Sequence, residues 1–102
     1  MQNVAVGSSA LLNNTASNNT AVGNDALLSN TSGIQNTGVG ANTLDANTTG
    51  NYNTAIGTSS LGANTQGSDN SALGRNALIG NTTGSYNTGI GRSTLSDNST
   101  GN

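Results

Sequence analysis

Read for its apolar positions, the chain states one pattern six times. In residues 19–35, NTAVGNDALLSNTSGIQ, a small residue and a branched aliphatic precede a glycine, and a leucine follows four residues after it. The anchor glycines are Gly7, Gly23, Gly40, Gly57, Gly74 and Gly91, spaced by 16 and then by 17 four times. The aliphatic column is Val6, Val22, Val39, Ile56, Leu73 and Ile90. The leucine column is Leu11, Leu27, Leu44, Leu61, Leu78 and Leu95. The small column is Ala5, Ala21, Gly38, Ala55, Ala72 and Gly89. Two polar columns are just as regular. Asn3, Asn19, Asn36, Asn53, Asn70 and Asn87 open the units, and Asn14, Asn30, Asn47, Asn64, Asn81 and Asn98 recur seven residues after the anchors. A second glycine closes most units (Gly33, Gly50, Gly67, Gly84, Gly101), with Ser17 in the first.

A period of 17 residues is too short for helix-pair repeats, which need about 33 or more. Each unit also carries Gly and Asn-Thr turn signals that break helices. The pattern therefore predicts a parallel β-solenoid with coils over 3–18, 19–35, 36–52, 53–69, 70–86 and 87–102. T-A-V-G reads as one short strand and the stretch around A-L as a second, with glycine supplying positive φ at the turns between them. Coils stack at about 4.8 Å, so six make a rod roughly 29 Å long. Identical residues then form ladders, and asparagine ladders are favourable because each amide bonds the next.

Two orientations of the strand remain open. If the aliphatic and leucine columns fill the coil as its core ladder, the small column faces outward. Its restriction to Ala and Gly then marks a subunit interface where another backbone comes close. The alternative is a tight interior around Ala and Gly, with Val and Ile at the interface. Either way each coil has few large apolar side chains, and oligomerisation is the usual remedy for a small core.

Composition agrees with stacked turns. Only 30% of the chain is apolar and 6% is charged, whereas Asn occurs 19 times, Thr 15 and Gly 15. Disordered chains of low hydrophobicity usually carry high net charge and proline; here the net charge is −2 and proline is absent. Neither Cys nor His occurs, which removes disulfides, thiolate chemistry and the usual zinc or haem ligands. Two Arg and no Lys cannot neutralise a phosphate track, so nucleic acid is not an expected partner. No run approaches the ~20 apolar residues of a membrane span, and MQNVAVGSSALL lacks the basic start of a signal peptide.

The motif N-T-A-[VI]-G-x-x-A-L-x-x-N-T-T-G resembles two related repeats. Its S/T-x-A-[VI]-G-x-x-A core is similar to the head repeats of trimeric autotransporter adhesins, although this repeat is longer. The N-T-T-G form is similar to repeats of phage tail-fibre and bacterial surface-fibre proteins. The resemblance covers all six units. It implies an all-β, left-handed parallel β-roll and an intimate homotrimer at a cell surface or on a virion fibre. Met1 and Gln2 sit in the register of a preceding unit, and Gly101-Asn102 stop short of completing the last. That suggests a segment of a longer fibre, or a short protein whose open ends stack into an extracellular filament.

Functional surface is sought where the pattern breaks. Arg75 and Arg92 both follow an anchor glycine, one coil apart. Tyr52 and Tyr86 share the position before a unit's first Asn, two coils apart, with Asp69 between. These four residues are the candidates for binding acidic or neutral surface glycans, since a sugar's C–H face stacks on an aromatic ring. Solvated arginines and turn-covering tyrosines are the plain readings of the same positions. Asp25, Asp45, Asp69 and Asp97 occupy different repeat positions, so no metal or cofactor is expected. Six N-x-[ST] sequons, at Asn13, Asn18, Asn30, Asn47, Asn81 and Asn98, mostly follow from the repeat itself.

With no His, Cys, Glu or Lys there is no catalytic set, and four unaligned Asp give no glycosidase pair. The expected function is therefore a rigid structural and adhesive fibre module, engaging itself and surface glycans or host proteins. Ice binding ranks lower, because the Thr of the N-T-T-G arm is followed two residues later by Gly or Ser rather than by a second Thr rank.

Overall fold

A computed structural model describes residues 2–102; Met1, whose register was assigned above, lies outside the described residues. Six three-residue strands, β1 (Val4–Val6), β2 (Thr20–Val22), β3 (Thr37–Val39), β4 (Thr54–Ile56), β5 (Ser71–Leu73) and β6 (Thr88–Ile90), pair in chain order. All pairs are parallel and in repeat register, Ala21 beside Gly38 and Val22 beside Val39. The chain is thus an all-β parallel solenoid of about five turns. Its extents are 31 × 20 × 15 Å, and the long one matches six stacked coils.

Each coil is closed by its asparagines. In the coil 36–52, the carbonyl of Gly50 accepts from Asn36 Nδ2 at 2.8 Å and from Asn47 Nδ2 at 3.0 Å, which uses both of its lone pairs. The side-chain oxygens then reach the next coil. Asn36 Oδ1 accepts the backbone N–H of Asn53 at 2.9 Å, and Asn47 Oδ1 accepts from Asn64 Nδ2 at 2.8 Å. The set recurs along the stack, and Asn19, Asn30, Asn36, Asn47, Asn53, Asn64, Asn70 and Asn81 are fully buried. The closing glycine is required for space, not for its dihedral. It is not among the positive-φ glycines, but a Cβ on Gly50 would lie 2.5 Å from Asn47 Oδ1. In the first coil Ala16, rather than Ser17, holds this position: its carbonyl accepts from both Asn3 and Asn14, at 2.8 Å each. The shorter first unit therefore lost one residue just before the closing position.

Three expectations are corrected. The A-L stretch is not a second strand. It is a run of tandem turns, with Ala26 N bonded to Gly23 O, Leu28 N to Asp25 O and Asn30 N to Leu27 O. Between those bonds Asp25 and Leu27 take positive φ, 58° and 53°, which frees their N–H groups for Ser8 of the coil before and Thr43 of the coil after. A left-handed leucine costs roughly 1–2 kcal/mol; here it drives the side chain inward, where Leu27, Leu44, Leu61 and Leu78 are fully buried. At the second corner the positive φ falls not on glycine but on the residue before the first Asn: Asn18, Gln35, Tyr52, Asp69 and Tyr86. Only the anchors, such as Gly57 at φ +124°, use glycine's freedom. There a Cβ would also meet the Gly74 carbonyl carbon at 2.7 Å.

The third correction concerns the strand faces. Ala21, Ala55 and Ala72 point into the coil, at 0%, 0% and 3% exposure, whereas Ile56, Leu73 and Ile90 point out, at 41%, 49% and 69%. Gly38 and Gly89 are buried too, Val22 and Val39 half-buried, and Val6 is exposed beside exposed Ala5 on β1. The aliphatic column is therefore not the core of the coil, and the small column is no subunit interface. The reason is the width of the coil. A Cβ on Gly38 would sit 2.9 Å from Thr43 Oγ1, and one on Gly89 3.0 Å from Thr94 Oγ1. Where the facing residue is Thr the strand carries Gly, and where it is Ala or Ser (Ala10, Ala26, Ser60, Ala77) the strand carries Ala. Leu11 is buried, while Leu95 in the last coil is half exposed.

One member of that facing column is poorly provided for. Thr43 Oγ1 donates to Gly40 O at 2.9 Å, but Ser60 Oγ is buried without a partner. Ser60→Ala should raise the unfolding free energy by about 1 kcal/mol, since an orphaned buried hydroxyl costs that order. Asn47→Asp should cost about 3–5 kcal/mol at neutral pH, because a buried carboxylate would face the acceptors Asn30 Oδ1 and Gly50 O. Denaturant unfolding of both variants checks these signs, and the Asn47→Asp loss should shrink in acid as the carboxyl regains a donor.

Candidate functional site

The outward face of the sheet is the most distinctive surface. Along 52–58 exposure alternates strictly: Tyr52, Thr54, Ile56 and Thr58 are exposed, while Asn53 and Ala55 are buried. The same alternation places Asp69, Ser71, Leu73 and Arg75 in the next row and Tyr86, Thr88, Ile90 and Arg92 in the one after. Pleating accounts for the alternation within each strand, since alternate residues share a face, and the edge positions flank it at or beyond the positive-φ corners. The face thus has four columns: a mixed column at one edge, a Thr/Ser column, the aliphatic column, and a column at the other edge that contains both arginines. Thr54, Ile56, Ser71, Ala72, Leu73, Thr88 and Ile90 line a shallow trough of about 240 Å³ in it.

The sequence candidates all lie on this face. Arg75 and Arg92 are exposed neighbours in one edge column; Tyr52 and Tyr86, at 49% and 74% exposure, stand with Asp69 in the other. The fold does not gather the four into one pocket, because the Thr and aliphatic columns separate the edges. The aliphatic column as surface is the second of the two orientations that the sequence left open. The pairing of Gly with Thr and of Ala with Ala or Ser across the coil was the signal that could have placed it there.

The carboxylates do not converge. Among the described residues no group of three metal-ligating side chains occurs. Asp45 stands apart because burial pushes its carboxyl above its ordinary value, and the nearby Asp25 charge acts in the same direction. Backbone hydrogen bonds at Asp45 and Ala46 work against both.

The fold and this face define a class: the chain is a β-solenoid repeat protein. Comparison with protein-family models, with curated proteins and with solved structures found no match.

A raised folded-state pKa means that the native state holds the Asp45 proton more tightly than the unfolded chain does. Stability from this group is therefore gained as pH falls from neutral toward the ordinary value of 3.8, and lost as pH rises through the folded value. Asp45→Asn should raise the neutral-pH melting temperature and flatten that acid-side gain, which thermal melts across the range would show.

Proposed function

We propose that this chain is a structural and adhesive fibre module: a rigid homotrimeric solenoid segment of a cell-surface or virion fibre that presents or forms a binding surface for glycans or proteins. The observation that carries it is the outward aliphatic column. Ile56, Leu73 and Ile90 stand 41–69% exposed in three adjacent coils, and the column continues through half-buried Val39 and Val22 to exposed Val6, along a stack whose own interior holds only leucine, small residues and amides. Monomeric proteins rarely expose a contiguous apolar stripe, and such stripes usually mark association. Copies joined through it bury side chains worth about 1.5–3 kcal/mol each, which a coil this thin needs.

The remaining features support a module whose role is mechanical. Every coil is tied to the next by backbone and amide bonds, so the segment is stiff along its axis. The resemblance to adhesin-head and tail-fibre repeats supplies the trimeric state, the left-handed sense and the surface location. The outward face carries hydroxyl, aromatic and guanidinium groups suited to recognition.

Ice binding gains one observation over the sequence reading. Thr20, Thr37, Thr54 and Thr88 lie outward two residues from the aliphatic column, so the face has two regular ranks. The large Leu73 and Ile90 side chains make it less even than an ice face needs.

Light scattering at micromolar concentration should report three chains per particle, and Ile56→Ser/Leu73→Ser should shift the protein to monomer. A stable folded wild-type monomer would refute the trimer. A monomer with thermal hysteresis would favour ice binding instead. A glycan array probed with the oligomer tests adhesion: binding supports a recognition surface, and no hits leave a spacer.

A further inference from the structure

The exposed face carries charge in a pattern that the oligomer reading leaves unused. Within each row the two edges lie six residues apart, at opposite ends of a three-residue strand, with the Thr/Ser and aliphatic columns between them. A single chain therefore does not bring them together. Yet the rows match edge to edge. Asp69 shares its row with Arg75, and Tyr86 shares its row with Arg92. Both arginines of the chain, and the only acidic residue on this face, fall in these two adjacent rows.

The geometry points to a second copy of this chain as the occupant of the face, docked parallel and at equal height, so that Arg75 of one copy pairs with Asp69 of its neighbour and Arg92 lies over the ring of Tyr86. This deepens the trimer proposed above and rests on it. When copies turn their faces toward an axis running along the rod, the left edge of each meets the right edge of the next. An axis in this direction keeps every row level with its own equivalent. Row 69–75 then closes with an ion pair, and row 86–92 with a cation held on an aromatic face. Rows 52–58, 35–41 and 18–24 close without charge, Tyr52 toward Thr58, Gln35 toward Ala41 and Asn18 toward Asn24.

Three physical points favour this occupant. Arg75 and Arg92 sit in one column about 4.8 Å apart, where stacked like charges repel unless each is met by a counter-group. A slip of one row would put Arg92 at the height of Asp69 but leave Arg75 facing Tyr52, one coil away from that acid and with no counter-charge of its own. The aliphatic column alone cannot prevent such a slip, because its members are nearly equivalent from coil to coil. The charged and aromatic edges are what distinguishes one height from another, as polar positions do in coiled coils. The same pairing withdraws Arg75, Arg92 and Tyr86 from the glycan-binding role that the sequence suggested.

The test compares two double variants of unchanged net charge and one single variant by sedimentation equilibrium at low and high salt. Asp69→Arg/Arg75→Asp exchanges partners within one row and should associate within about threefold of wild type. Asp69→Arg/Arg92→Asp carries the same net charge, but places two arginines opposite each other in row 69–75. It should associate at least tenfold more weakly at low salt, about 1.4 kcal/mol, as should Asp69→Arg alone. The deficit should narrow at high salt, where screening shortens the reach of the charges. If the wild type is an oligomer and the two double variants associate equally, the row-matched pairing is wrong and the oligomer stands. If the wild type is a folded monomer at all concentrations, both fail together.

Discussion

The structure depends on one shared acceptor. The carbonyl of the closing glycine takes a hydrogen bond from each of two asparagines, one at the opening of its coil and one three residues before it. These bonds bring the two ends of a coil to one point with no disulfide or metal. They also consume both donors' preferred geometry inside a space that water does not enter, where an unmet amide is expensive. The requirement reaches outward from there. In the five later coils it fixes the closing residue as glycine, since a Cβ would displace the amide oxygen, while the shorter first coil closes on Ala16. It keeps the interior narrow, and narrowness forces Ala or Gly onto the strand and leaves the larger aliphatics no place but the outside.

Much of this was legible from the repeat. The period, the strand T-A-V-G, the parallel stacking and the buried asparagine ladders follow from identical residues recurring at fixed spacing. The inward or outward sense of the strand was not, because alternation alone defines two faces without naming either. Intuition assigns Val and Ile to the interior. Here the amides occupy that interior, and the relation of Gly38 to Thr43 and of Ala21 to Ala26 settles the sense. The tandem turns were hidden for a different reason. Leucine is a poor residue for positive φ, and nothing local in A-L announces that Leu27 and Leu44 adopt it. The neighbouring coils impose it, by taking their N–H groups and burying their side chains.

The polar interior and apolar exterior also explain why function collects on one face. Inside, each residue is held by the repeat: changing Asn53 or Gly57 disturbs two neighbouring coils as well as its own. The outward columns answer to no such constraint, and that is where Arg, Tyr and Asp enter the sequence. Variation therefore concentrates where another molecule, whether a further copy of this chain or a ligand, can respond to it.

The asparagine columns have an electrical direction. In every ladder bond the amide oxygen belongs to the earlier coil and the donor to the later one: Asn30 to Asn14, Asn47 to Asn30, Asn64 to Asn47, Asn81 to Asn64. Side-chain dipoles stacked in this way add instead of cancelling, as peptide dipoles do along a helix. Parallel strands, whose backbone bonds run both ways, contribute little to such a sum. A stack of these coils is therefore a polar rod whose two directions differ in potential as well as in sequence, with the acceptor sense toward later coils. Anything that approaches along its axis, a charged ligand included, meets an orientation written in neutral side chains.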